Sequence, residues 1–363
     1  MQPAGIGSVS VLFDPSASPG GRVAVRSSRG PMVARLLAGK APGEELYGLV
    51  GLIYALCPAA QQGSLRAAVA AAEGRKIEAH EIVLAAQAEA MLEHLRLFLM
   101  DLPLALGLPP FPEARAIGAL RAKLAALTRG AGSAKELTLE IAALARTSIL
   151  AGLPEEAEPK TLSKMLCRAA EWASPAARSL FERALTIHDR SAADVPLLDT
   201  ESPEVRAELS SLVWTEGFTE RPHLSCGPCQ THALARHAAL VPQEALPLPA
   251  LLFARLLELA MLSLGMPQEG WLRTERDNCR ALSIMQCARG SLVTAVEMRR
   301  GLIERAVIVA PTEWNFHPQG AASRLLNTIP ARSFAEFEQK ARRSLLLLDA
   351  CIPYTITEKQ AHA

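Results

Sequence analysis

The segment that most constrains the fold lies close to the C-terminus. It reads V-A-P-T-E-W-N-F-H-P-Q-G over residues 309–320, and about thirty residues later the chain continues L-D-A-C-I-P-Y over residues 348–354. The second stretch holds one cysteine, Cys351, and Tyr354 follows it three residues later.

This C-terminal segment resembles the end of the nickel–iron hydrogenase large subunit. In that family a V-P-T-x-W-N-x-x-P segment precedes a D-P-C-x-x-C motif whose two thiolates hold the active-site metals. Here Tyr354 takes the place of the second thiolate. The resemblance implies a large-subunit shape that has lost metal ligands, and hence an accessory protein more than a hydrogenase.

Further segments are similar to the same family, in the family's order. R-G-P-M (29–32) with L-L-A-G-K-A-P (36–42) resembles R-G-x-E…L-x-G-R-x-P, and C-A-R-G-S-L (287–292) resembles A-P-R-G-x-L. L-I-Y-A-L-C-P-A-A-Q (52–61) stands where the family has R-I-C-G-x-C-P-x-x-H, so Cys57 keeps the second cysteine. These segments cover roughly residues 22–100 and 280–356, whereas 110–220 matches nothing. The chain is most similar to HupK-type hydrogenase accessory proteins, which are degenerate homologues of the large subunit.

Composition narrows the class of protein independently. The 363 residues are half hydrophobic with few aromatics, and the formal net charge is +1. This balance is typical of a mostly helical globular protein and gives no basic surface for nucleic acid. No stretch reaches the ~20 apolar residues of a membrane span, and no secretory signal is visible. Seven cysteines without an export signal predict a cytoplasmic location and thiols in place of disulfides.

The hydrophobic patterns predict a mainly α fold of the α+β class. We expect an N-terminal β-hairpin over 6–26, helices over 65–73 and 80–99, and a helical block over 112–195. Within that block we expect helices over 113–128, 133–151, 159–173 and 175–188, with Ser133 as an N-cap. A further apolar helix is predicted over 248–265, a small antiparallel sheet near 281–310, and a last helix over 333–349. The predicted organisation is one large-subunit-like domain over 1–363, in three parts: 1–108, 109–202 and 203–363.

The resemblance also implies a binding site. The residues kept at positions that hold or contact the iron and its diatomic ligands are Cys57, Cys351, Arg289 and Thr312. Two thiolate positions carry Tyr54 and Tyr354, which we expect to line the same cavity, and Gln61 replaces a histidine. Two thiolates suit a single iron held transiently, whereas nickel binding is not expected. Alternatively, the two cysteines are buried relics with no metal.

A second group of potential ligands is S-C-G-P-C-Q-T-H over residues 225–232. Cys226, Cys229 and His232 are close in sequence and are predicted metal ligands, with two alternatives. One is a redox-sensitive dithiol, and the other is thioredoxin-like activity, which the absence of a βαβ pattern disfavours. We expect the two thiols at a helix N-terminus near the mouth of the cavity.

The predicted function is that of an accessory or scaffold protein in nickel–iron hydrogenase maturation, not an enzyme. The resemblance implies a transient Fe(CN)2CO fragment as cargo, and as partners a HypC-type maturation chaperone and the hydrogenase large-subunit precursor. No nucleic acid and no membrane insertion are expected. One alternative is a metal-free chaperone that only binds the precursor or the maturation chaperones. A hydrogenase-like catalytic subunit is disfavoured, because nickel would lose several thiolates together.

Overall fold

The computed structural model describes residues 7–18, 20–189, 195–242, 246–266 and 269–360. Its strands are β1 (Val9–Phe13), β2 (Val23–Ser27), β3 (Leu272–Asp277), β4 (Arg280–Cys287), β5 (Gly290–Arg299), β6 (Leu302–Val309) and β7 (Tyr354–Glu358). Its helices are α1 (Met32–Leu37), α2 (Glu44–Ile53), α3 (Pro58–Ala72), α4 (Ala79–Arg96), α5 (Leu102–Ala105), α6 (Ile117–Leu127), α7 (Ala134–Thr147), α8 (Pro159–Cys167), α9 (Ala169–Trp172), α10 (Pro175–Ala184), α11 (Pro203–Leu212), α12 (Ala233–His237), α13 (Ala250–Ser263), α14 (Pro311–Asn315), α15 (Ala321–Asn327) and α16 (Phe334–Leu348).

The two ends of the chain share one small sheet. β1 and β2 form the antiparallel hairpin predicted over 6–26. Residues 6 and 19 of that range lie outside the described part of the chain. β7, which was not predicted, pairs in parallel with the other edge of β1. Val9, Val11 and Phe13 face the core while the residues between them are exposed. This pairing fixes the segment that follows Cys351 against the N-terminal hairpin.

The second sheet is an antiparallel meander in the order β3-β4-β5-β6. Three of its strands match the sheet predicted near 281–310, and β3 adds an edge strand. β4 and β5 are buried on both faces because α3 packs on one side and a cluster around Trp314 packs on the other. An antiparallel sheet covered on both faces carries near-continuous apolar strands, which explains the loss of alternation in this region.

The central helix departs from its predicted end. α4 spans eighteen residues and packs against α3, α6, α7 and α13. The prediction ended this helix at residue 99, but the helix passes through a π-helical turn (Leu97–Asp101) into α5, which contains Pro103. A proline has no N–H to donate to the carbonyl four residues earlier, and here that Leu99 carbonyl accepts from the Phe111 N–H at 2.9 Å. The helix therefore tolerates the proline without leaving a buried carbonyl unpaired.

The helical block largely follows the prediction, with shorter elements. The helix expected over 113–128 begins with a 3₁₀ turn (Pro112–Ala116), and the one expected over 159–173 is divided at Arg168 into α8 and α9. Ser133 caps α7 as predicted, its hydroxyl accepting from the Glu136 N–H at 3.3 Å. α11, for which no helix was predicted, begins at a similar cap, Ser202, whose hydroxyl accepts from the Val205 N–H at 3.2 Å. Among described helices, none is long and apolar enough to cross a membrane.

Candidate functional site

Cys57 lies at the junction of α2 and α3. It is the residue before the first turn of α3, its side chain is buried, and the Gln61 amide nitrogen lies 3.9 Å from its sulfur. The start of α3 is held by Glu89 of α4, whose carboxylate accepts from the Ala59 N–H at 2.7 Å and the Ala60 N–H at 3.3 Å. Burial raises the pKa of the Glu89 carboxyl to about 8, although the two N–H donors act in the opposite direction.

Cys351 lies just beyond the end of α16. The helix stops at Asp349, whose left-handed backbone (φ +47°) turns the chain towards α14. The Cys351 N–H donates to the Thr312 hydroxyl oxygen at 3.2 Å, and the same oxygen lies 2.9 Å from the Cys351 sulfur. Thr312 thus fixes both the backbone and the thiol of Cys351.

The two predicted thiols are linked through Arg29 although 294 positions separate them in sequence. Arg29 donates to the Cys351 sulfur at 3.1 Å and lies over the Tyr54 ring, and the Tyr54 carbonyl accepts from the Cys57 N–H at 2.9 Å. Burial raises the pKa of the Cys57 thiol well above its usual value. Cys57 and Thr312 are buried, whereas Cys351 is only partly buried. These contacts define one cluster whose accessible edge is Cys351.

Arg289 joins this cluster but is already held by protein groups. Its Nη2 donates to Glu93 at 2.8 Å, and its Nε donates to the Asp349 carbonyl at 3.1 Å. Arg255 also donates to the Asp349 carboxylate, at 2.6 Å. Burial alone would raise the pKa of Asp349, but Arg289 and Arg255 hold it below its usual range. Arg289 is therefore fixed beside Asp349, two positions before Cys351 in the chain.

Arg29 is a site residue to which the sequence assigned no role. Its Nη2 donates to the Cys351 sulfur at 3.1 Å, and its Nε lies 3.3 Å from the Glu313 carboxylate. Its guanidinium carbon lies 5.6 Å from the centre of the Tyr54 ring, within the range of a cation–π contact. The available signal was its place in the R-G motif, next to the position where Met32 replaces an acid. Tyr54 thus lines the cluster as predicted.

Tyr354 does not face the cluster as predicted. It begins β7, and its ring centre lies 5.9 Å from the guanidinium carbon of Arg342 on α16. A strand alternates its side chains between two faces, and pairing with β1 fixes which face Tyr354 takes. Of the two tyrosines at lost thiolate positions, only Tyr54 therefore contributes to the site.

A buried polar network lies behind the cluster. The Glu258 carboxylate on α13 bonds His94 at 2.9 Å, His237 at 2.9 Å and the Nε of Arg236 at 2.7 Å. Arg236 also donates to the Cys287 carbonyl at 3.1 Å. Burial lowers the pKa of the His94 imidazole to about 4, so this histidine is neutral at physiological pH. The network gives His94 a structural partner and ties α12 to the turn that carries Arg289.

The Cys226–Cys229 pair differs from the prediction. The two sulfurs are 3.8 Å apart, with Cys226 exposed and Cys229 buried, in a turn closed by hydrogen bonds between Leu224 and Gly227. The next helix, α12, starts only at Ala233, so the expected placement at a helix N-terminus is wrong. Burial raises the pKa of the Cys229 thiol to about 12, the opposite of an activated thiolate.

His232 was predicted to bind a metal ion together with Cys226 and Cys229. The His232 Nε2 lies 3.0 Å from the Gln230 side-chain oxygen, and burial lowers the pKa of His232 to about 3. Among the described residues, no group of three or more histidine, cysteine or acidic side chains converges as a metal site requires. The structure therefore does not assemble Cys226, Cys229 and His232 into a three-ligand site.

Two curated proteins are similar to this chain over nearly its whole length. No protein-family model matches the chain. The hydrogenase expression/formation protein HoxV of Cupriavidus necator is 28% identical over 95% of this chain and 94% of its own length. The hydrogenase expression/formation protein HupK of Rhizobium leguminosarum bv. viciae is 28% identical over 98% of both chains.

Solved structures show the same fold. The nickel–iron–selenium hydrogenase of Desulfomicrobium baculatum in its reduced, active form superposes with a TM-score of 0.60 at 15% identity, covering 93% of this chain and 95% of that one. The nickel–iron–selenium hydrogenase of Desulfovibrio vulgaris Hildenborough superposes with a TM-score of 0.55 at 14% identity, covering 92% of this chain and 94% of that one. The predicted mixed α+β fold of the hydrogenase large subunit is confirmed.

Proposed function

We propose that this chain, a homologue of the HupK and HoxV proteins, acts in nickel–iron hydrogenase maturation by carrying an Fe(CN)2CO fragment to the large-subunit precursor. The observation that carries the proposal is the contact of Cys351 with Thr312 and Arg29 in a large-subunit fold, where Arg29 also lies over Tyr54, whose carbonyl accepts from the Cys57 N–H. Both relatives are named as hydrogenase expression/formation proteins. The fragment is cargo, and the chain is its carrier and not a hydrogenase.

The donor set suits one iron with diatomic ligands. Low-spin iron is soft and favours thiolate ligands, and two thiols hold it less firmly than four. Cyanide nitrogens accept hydrogen bonds, and Thr312, Arg29 and Arg289 surround the pair with hydroxyl and guanidinium groups. Because Cys351 is the accessible ligand, cargo would enter and leave on its side.

The proposed partners follow from the shared shape. A protein folded like the large subunit offers a similar surface to the chaperones that receive the large-subunit precursor. We therefore propose a HypC-type chaperone as donor and the large-subunit precursor as recipient, in the cytoplasm. Hydrogen uptake by the chain itself is not expected, since Tyr54 and Tyr354 replace two thiolates.

A metal-free chaperone is the second candidate, and one observation favours it. The Nε and Nη2 donors of Arg289 are already hydrogen-bonded to Asp349 and Glu93. Burial raises the pKa of Cys57 and so keeps this thiol protonated. A site with satisfied donors and an uncharged thiol packs well without cargo. In this case the large-subunit shape serves only to engage the precursor or its chaperones.

Infrared spectroscopy separates the two candidates. The protein, purified without oxygen from cells with active hydrogenase maturation, should show cyanide and carbonyl stretching bands. Cys57→Ala should abolish these bands, whereas Cys167→Ala, a thiol on the remote helix α8, should keep them. Bands that persist unchanged in Cys57→Ala would contradict the proposed ligand. No bands in the wild type, together with copurification of a maturation chaperone, would favour the metal-free role.

A further inference from the structure

The space beside Cys351 is taken by the guanidinium of Arg29. The side chain is only 6% exposed, and it contacts the Cys351 sulfur, the Glu313 carboxylate and the Tyr54 ring. These are the groups among which a metal ion bound to Cys351 on this side would have to lie. A fixed positive charge therefore stands where a second cation would need to be.

The donors of Arg29 are incompletely used. Its Nη1 is buried and has no hydrogen-bond partner, whereas its Nε lies 3.3 Å from the Glu313 carboxylate in an ion pair. A buried unpaired donor is costly, so such groups usually face an acceptor that completes them. An anionic ligand with electron-rich ends satisfies both the charge and the free donors, whereas a bare divalent cation satisfies neither.

We propose that Arg29 is a specificity-determining residue that rejects bare divalent metal ions beside Cys351 and admits a metal centre only when it carries anionic ligands. The proposal rests on the function proposed above for the identity of the cargo. The rejection itself concerns any divalent cation. In this proposal, Arg29 limits the site to a single metal centre.

The physical reason is charge. Glu313 and Cys351, which both contact Arg29, would offer a divalent ion an oxygen and a sulfur, donors acceptable to zinc or nickel. The Arg29 cation neutralises Glu313 and donates to Cys351, and it repels a divalent ion at a few ångströms. Removing this charge should let a divalent ion bind between Cys351 and Glu313, with water completing its ligands.

The test measures metal affinity in the full-length apoprotein. Protein is prepared reduced and without oxygen in a Cys226→Ser/Cys229→Ser background, so that the separate thiol pair contributes nothing. Ni²⁺ and Zn²⁺ are titrated against a chelating competitor for the parent, Arg29→Met and Arg35→Met. Arg35 is an exposed arginine on α1 and serves as the matched control.

We expect Arg29→Met to bind one ion at least about 100-fold more tightly than the parent and Arg35→Met, as removal of one nearby charge predicts. Adding Cys351→Ser should abolish the gain. A parent that already binds one Ni²⁺ through Cys351 as tightly, or a folded Arg29→Met that gains nothing, overturns the proposal.

Folding is controlled with a second variant. Arg29→Met leaves Glu313 without its cation, so Arg29→Gln, whose amide can still donate to the Glu313 carboxylate, should fold even if Arg29→Met does not. It should also gain Cys351-dependent binding, and no gain in folded Arg29→Gln counts against Arg29. The infrared bands of the carrier are a separate readout. Rejection of Ni²⁺ without those bands supports the role of Arg29 and contradicts the cargo.

Discussion

Glu89→Gln tests whether the buried carboxyl beneath Cys57 makes stability depend on pH. The pKa of Glu89 is about 8 in the fold against a reference value of 4.5. A carboxyl whose pKa is raised by folding stabilises fully below the unfolded value, and the contribution is lost as pH rises through the folded value. At about 1.4 kcal/mol per pKa unit, the wild type should lose about 2 kcal/mol of unfolding free energy between roughly pH 6 and pH 8.

The glutamine variant should lack this particular loss. Its side-chain oxygen still accepts from the Ala59 and Ala60 N–H groups, so the start of α3 is kept while the titrating proton is removed. Urea unfolding under reducing conditions, followed by circular dichroism, gives both free energies at each pH. The difference between the two variants removes every pH-dependent contribution that they share. Parallel pH profiles for wild type and Glu89→Gln would refute the reasoning.

Three further outcomes are expected. Ser133→Ala should cost about 1 kcal/mol in the same unfolding assay, because the cap of α7 is lost; no change would mean that the cap contributes nothing. Thr312→Val should displace the Cys351 thiol and weaken the cyanide and carbonyl bands without greatly changing the melting temperature; unaltered bands would remove Thr312 from the site. Cys226→Ser/Cys229→Ser should impair hydrogenase maturation more in air than without oxygen, with exposed Cys279→Ser as control; equal impairment would favour a structural or metal role.

The sequence predicts the local elements better than the contacts between distant ones. The hairpin, the meander and the cap at Ser133 depend on neighbouring residues, and each is present. β7 was missed because five residues after Cys351 become a strand only by pairing with β1, more than three hundred positions away. β3 was missed because an edge strand that is mostly polar lacks the alternation that identifies strands.

The candidate site shows the same division. Cys57, Cys351, Arg289 and Thr312 were located through motif positions, and among them Thr312 contacts Cys351 at 2.9 Å. The motifs could not reveal that Arg29 donates to Cys351 across 322 positions. They also suggested a helix N-terminus at the thiol pair around residue 227, where the chain instead forms a tight turn. Motif spacing identifies residue types, whereas donor pairing depends on three-dimensional packing.

Asn315→Asp should weaken both the fold and the site, whereas the same change at Asn327 should weaken only the fold. Asn315 accepts from the Thr231 N–H at 2.8 Å and donates to the Thr231 carbonyl at 2.6 Å, and the Thr231 hydroxyl accepts from the N–H of Ser291, beside Arg289. Asn327 makes the same reciprocal pair with Val23 of the remote N-terminal hairpin, at 2.9 Å in both directions.

Aspartate cannot donate, so each variant sets a carboxylate against a carbonyl. We expect a loss of about 3 kcal/mol for buried Asn315→Asp and about 1 kcal/mol for partly exposed Asn327→Asp, because desolvation increases the cost of an unpaired charge. At a temperature where both variants are fully folded, only Asn315→Asp should diminish the cyanide and carbonyl bands, since only Asn315 fixes the turn that carries Arg289. Equal loss of bands in both folded variants would show that the bands report general stability and not the position of Arg289.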